Sequence, residues 1–161
     1  MTAKDVLAST LDFNHGVLKT YVSDLSDADL LVRPVDGANH IAWQLGHLIA
    51  SECRMLQAIP GATPPDLPAG FAEKHDRNKT GEDQGFATKA EYMELFEKVR
   101  QSTKAALENL SESDLDKPNP TELSRLAPTL GSVFLLAANH ELMHAGQFAV
   151  IRRKLGKPIV I

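Results

Sequence analysis

The chain has 161 residues, a formal net charge of −4, 43% hydrophobic and 24% charged residues, and a length that fits one domain over residues 1–161. Acidic and basic residues are interspersed, which argues against nucleic-acid binding, and no apolar run approaches the roughly 20 residues of a membrane span. Cys53 is the only cysteine, so no internal disulfide can form; with no secretory-type apolar run in MTAKDVLAST, this predicts a reducing, cytoplasmic setting.

Apolar spacing predicts four long helices and no convincing strand, hence an all-α four-helix bundle. The first covers about residues 4–25, where Leu11, Leu18 and Leu25 recur every seven positions. The second covers about 40–59, with Asn39 available as its cap and Pro60-Gly61 as its stop. Residues 60–87 are rich in Pro, Gly and charge. So long a connector fits a crossover that sets the second and third long helices parallel.

The third helix covers about 89–109, opened by a Thr88…Glu91 capping box. The fourth covers about 130–155, capped by Thr129 and closed by Gly156 and Pro158. Arg152, Arg153, Lys154 and Lys157 cluster at its end, where cations suit the helix dipole better than they argue for an anion site. The apolar tail at 159–161 is too short to found a sheet. One echo suggests two related hairpins: LSDADL before Pro34 resembles LSESDL before Pro118.

The chemistry concentrates in histidines. His140 and His144 stand four apart, so both imidazoles face one way, one turn apart. They lie on an otherwise apolar stripe of Val133, Ala137, Phe148, Ile151 and Leu155. Two histidines facing a core need partners, and a shared metal supplies one to both. The string HELMH also fits the zinc-protease motif, yet no His, Asp, Glu or Cys follows His144, and position 150 is Val150. A diiron carboxylate bundle would need a second Glu-x-x-His unit, which is absent.

A third ligand therefore has to come from upstream, and His47 is the best placed. Its neighbour Gly46 costs the helix about 1 kcal/mol against Ala, which the close approach of a helix or ligand would explain. His15 sits among Leu11, Leu18 and Val22 and is a candidate fourth ligand or outer partner. Trp43, Ser51 and Gln147 are candidate pocket or outer residues, each one turn from a candidate ligand. His40 reads as an end-of-helix residue, His75 as a solvated connector residue and Cys53 as inert packing. Glu141 projects about 100° away from His140, which argues against a role as general base.

IAWQLGHLIASE in the second helix, and NHELMHAGQ with RRKLG in the fourth, resemble the DinB-like family of metal-binding four-helix bundles. The resemblance extends to Arg33-Pro34 and both LSxxDL segments. It implies His47, His140 and His144 as metal ligands, zinc, nickel or iron as the ion, and a homodimer. It also implies chemistry on low-molecular-weight thiols such as bacillithiol or mycothiol in some members.

A three-histidine site with an open position could activate water for hydrolysis or a thiol for transfer to an electrophile. The leading expectation is thus a small-molecule metalloenzyme. The alternatives are a bundle whose metal is structural or sensing, and a helical interaction module without metal.

Overall fold

The computed structural model describes residues 1–159 of the chain; Val160 and Ile161, the end of the apolar tail, lie outside the described residues. Four long helices dominate: α1 (Ala3–Val22), α3 (Ile41–Leu56), α5 (Lys89–Asn109) and α6 (Leu130–Lys154). Two short helices, α2 (Asp27–Leu30) and α4 (Phe71–Lys74), and two 3₁₀ turns, Glu112–Asp116 and Glu122–Arg125, lie in the connections. Among the described residues, the only β pairing is an isolated bridge between Pro118 and Thr129.

The side-chain contacts fix the helix directions. Lys4 reaches the Leu110 carbonyl and His15 meets Glu97, so α1 and α5 run antiparallel. Asn14 donates to the Ala138 carbonyl and Arg152 to that of Tyr21, so α1 and α6 run parallel. Gln44 meets His144 while Met55 lies near Phe134, so α3 opposes α6. It follows that α3 and α5 are parallel, joined by the crossover that the long connector required.

Local chemistry places the helix starts. Thr88 with Glu91 and Thr129 with Ser132 form reciprocal capping boxes on α5 and α6. The repeated LSxxDL segments are also capping boxes: Ser26 pairs with Asp29 to start α2, and Ser111 with Asp114 to start a 3₁₀ turn. Each buries its two leucines, Leu25 and Leu30 or Leu110 and Leu115. Gly156 ends the chain's last helix at φ +70°.

Two expectations are corrected at the helix ends. α1 stops at Val22, and Leu25 is buried beyond it. α3 is capped by His40, not Asn39: the His40 Nδ1 accepts the Trp43 N–H at 3.0 Å. The C-terminal basic cluster is a structural tie. Buried Arg152 pairs with Asp24 and donates to the Tyr21 and Pro158 carbonyls, and Lys157 donates to the Asp24 carbonyl.

The core is divided by a polar layer. One apolar cluster gathers Leu18, Leu45, Phe96 and Phe148; a second gathers Leu11, Leu56, Leu107 and Phe134. Between them, every long helix contributes buried polar side chains: Asn14 and His15, Glu52, Arg100 and Thr103, and Glu141. The Arg100 Nη2 lies 3.0 Å from Glu52 and 2.7 Å from Glu141. Thr103 also donates to Glu52, and His15 Nδ1 lies 3.0 Å from Glu141. One guanidinium shared by two buried carboxylates leaves little reason for both to be ionised.

Burial raises Glu52 from its ordinary 4.5 to about 7, against the opposing pull of Arg100. The folded chain therefore prefers Glu52 protonated. Its contribution to stability is full below the unfolded value and is lost as pH rises through about 7. Between about pH 5 and pH 7.5 this should cost up to about 3 kcal/mol. Urea melts of the wild type and Glu52→Gln at both pH values measure it. The variant should lose less stability over that range; equal losses would mean that Glu52 does not take up a proton on folding.

Candidate metal centre

His47, His140 and His144 come together on the facing sides of α3 and α6, and one ligand atom from each lies within 4.8 Å of the others. His140 follows from its helical offset to His144, and the antiparallel pairing of α3 with α6 brings His47 to the same level. His144 is buried, whereas His47 and His140 are partly exposed. The cluster is thus reachable from solvent on one side.

Hydrogen bonds assign the tautomers of two rings. Gln44 uses its Nε2 to donate to the Asn39 carbonyl, so its Oε1 accepts from the His144 Nδ1 at 2.7 Å. The His47 Nδ1 donates to the His75 carbonyl at 3.2 Å. In both rings the Nε2 lone pair is left free, the form a metal ligand requires. Trp43 stacks on His47 with centroids 4.8 Å apart and planes 9° from parallel.

All three rings are held neutral. Burial lowers His144 to about 3, helped by the neighbouring histidines. Burial lowers His140 to about 4, and the neighbouring His47 and Arg54 push the same way. His47 is lowered by burial and by Arg54, against the His75 carbonyl. Three neutral imidazoles close together form a donor set that fits a divalent transition ion.

Several sequence expectations change here. His15 is not part of the cluster: its Nδ1 faces Glu141 and its Nε2 faces Glu97 at 3.1 Å, so neither nitrogen is free for an ion. Gln147 is exposed on α6, and Gln44 holds His144 instead. The usable signal was spacing, since Gln44 precedes His47 by three residues and shares its face. Trp43 and Ser51 do border the site, as a ring stacked on His47 and as a wall of the adjoining cavity.

His75 is buried rather than solvated. Its Nδ1 pairs with the Phe71 carbonyl and its Nε2 with the Tyr92 hydroxyl. The ring lies directly on Gly46, where a Cβ would come within 2.2 Å of it. That close approach explains the glycine: the crossover, not a helix or ligand, presses on α3 there. The same residue's carbonyl then orients His47.

A cavity of about 540 Å³ opens beside the cluster, bordered by His47, Ser51, Cys53 and Arg54 of α3 and by His75 and Arg77 of the crossover. A larger one of about 670 Å³, between the crossover and α5, contains none of the three clustered histidines. Of these two, the smaller has a clustered histidine, His47, in its wall. Cys53 also borders it, but burial pushes its thiol up to about 12.

No helix among the described residues is long and apolar enough to cross a membrane. No curated protein matches the sequence significantly. Two solved structures share the fold. A conserved protein from Enterococcus faecalis is 16% identical, with a TM-score of 0.66 over 98% of this chain and 99% of that one. YfiT from Bacillus subtilis, described as a probable metal-dependent hydrolase with an unusual four-helix bundle topology, is 19% identical. Its TM-score is 0.67 over 96% of this chain and 89% of that one. At such identities the likeness speaks for the fold. The sequence itself matches the DinB superfamily over residues 10–148, a span that takes in α3, α5 and all three clustered histidines, and the chain belongs to that superfamily.

Proposed function

We propose that the chain binds one divalent transition ion through His47, His140 and His144 and uses it as a metalloenzyme of small-molecule chemistry. The observation that carries this is the convergence of three neutral imidazoles, two with Nδ1 already tied and Nε2 free. Zinc, nickel and iron all suit imidazole donors. An ion held there would supply positive charge that acidifies a water or a thiol brought against it.

The surrounding residues narrow what the reaction can use. Gln44 and the His75 carbonyl fix two rings, and Trp43 screens one face of His47. Glu141 is turned toward Arg100 and His15, so it offers no base at the cluster. Cys53 stays a thiol at neutral pH, so it offers no thiolate nucleophile. The attacking group is then a water or a small thiol brought against the ion. The description of YfiT favours hydrolysis, and the resemblance to thiol-using relatives favours transfer. Metal-loaded and chelated protein, assayed on ester and alkylating substrates with and without a thiol panel, separates the two. Turnover only with metal and thiol gives transfer, and turnover with metal alone gives hydrolysis. Turnover indifferent to metal would overturn the reading.

The crossover's grip on His47 supplies a further test. Gly46→Ala brings a methyl group within 2.2 Å of the His75 ring, so His75 must shift, and with it the carbonyl that holds His47. Metal affinity in a chelator competition is expected to fall about 10–100-fold, the usual cost of losing an outer partner. An unchanged affinity would mean that His75 does not orient the ligand.

A further inference from the structure

On α3, His47, Ser51 and Arg54 fall at offsets of four and three and so share one face, which borders the 540 Å³ cavity. Arg54 stands two turns beyond His47, about 10 Å along the axis, and helical side chains lean back toward the N-terminus. Arg54 and His47 accordingly border the same cavity. Arg77 borders the same cavity from the crossover.

Among the described residues, no carboxylate lies within ion-pair distance of Arg54 or Arg77. The cavity's one carboxylate, Asp76, is occupied by the backbone and side-chain N–H groups of Asn78 at 2.9 and 2.7 Å. The lining thus sets two guanidiniums, Arg54 and Arg77, against one carboxylate, so the cavity carries a net positive charge. An unpaired arginine beside a cavity is suited to hold a carboxylate through two parallel N–H donors.

We propose that this cavity selects small carboxylate-bearing molecules, with Arg54 as the principal anchor and Arg77 as the second. The anchored end of such a molecule sits at the arginines, and its reactive end extends along Ser51 toward His47. The assignment deepens the metalloenzyme reading by naming its substrate class, but the anchor itself uses no metal.

Isothermal titration with succinate and with neutral succinamide, on metal-free and on zinc-treated protein, tests the proposal. Succinate should bind metal-free wild type, succinamide should bind at least about tenfold more weakly, and R54Q/R77Q should lose at least about tenfold in succinate affinity. Both arginines are exposed, so the variant should fold, which circular dichroism checks. Arginine-dependent succinate binding without zinc uptake would retain this proposal while sinking the metal reading. No succinate binding, or binding equal in wild type and variant, would overturn the proposal whether or not zinc is taken up.

Discussion

Replacing His144 by Ala is expected to abolish stoichiometric metal binding while leaving the helix content close to that of the wild type. The ring is the most buried of the three and the one whose neutral tautomer is fixed by a buried amide, Gln44. Removing it leaves two imidazoles, both partly exposed. Affinity should drop more than about a hundredfold, beyond what loss of an outer partner causes. Two comparisons sharpen the result. Gln44→Ala should weaken binding by about 10–100-fold, because His144 loses its orienting acceptor. Gln147→Ala should change nothing, because that side chain is exposed and Gln44 already holds His144. Metal retained by His144→Ala, or lost equally in the two glutamine variants, would count against the ligand assignment.

A second large effect lies away from the cluster. Arg100→Met is expected to destabilise the fold by about 3–5 kcal/mol, the cost of leaving a buried carboxylate without its cation. Methionine matches much of the side-chain volume, so the loss reports charge rather than a cavity. Glu52 relieves part of the strain by staying protonated, whereas Glu141 loses its 2.7 Å partner and keeps only His15. The double change Arg100→Met with Glu141→Gln should therefore recover a substantial part of the loss. Urea denaturation of the single and double variants measures both. A single variant as stable as wild type would mean that the polar layer contributes no net stability through its ion pairs. The layer carries a second consequence: it ties all four long helices at one level, so it opposes slippage of one helix past another.

Some of this architecture is readable from local chemistry, and some depends on which helix meets which. The capping boxes at Thr88 and Thr129 and the left-handed Gly156 involve residues within a few positions, so their spacing alone locates the helix ends. His140 and His144 are legible for the same reason, and Gly46 marks the close approach beside His47. The polar layer is not legible in this way. Glu52, Arg100 and Glu141 each resemble an ordinary solvated charge on a long helix, and only the register between α3, α5 and α6 makes them neighbours. His15 illustrates the same limit: its apolar surroundings correctly point it inward, yet its partners are carboxylates on α5 and α6 instead of an ion. His75 was hidden by its setting, because a connector rich in Pro, Gly and charge gives no sign that one of its side chains is buried against α3.

The most direct test is elemental analysis of the wild-type chain, expressed without an affinity tag and freed of loosely held ions by gel filtration. About one transition-metal ion per chain is the predicted result. A folded protein that carries none, and takes up none when offered zinc, nickel or ferrous iron, would leave the three imidazoles as a buried polar cluster and contradict the account.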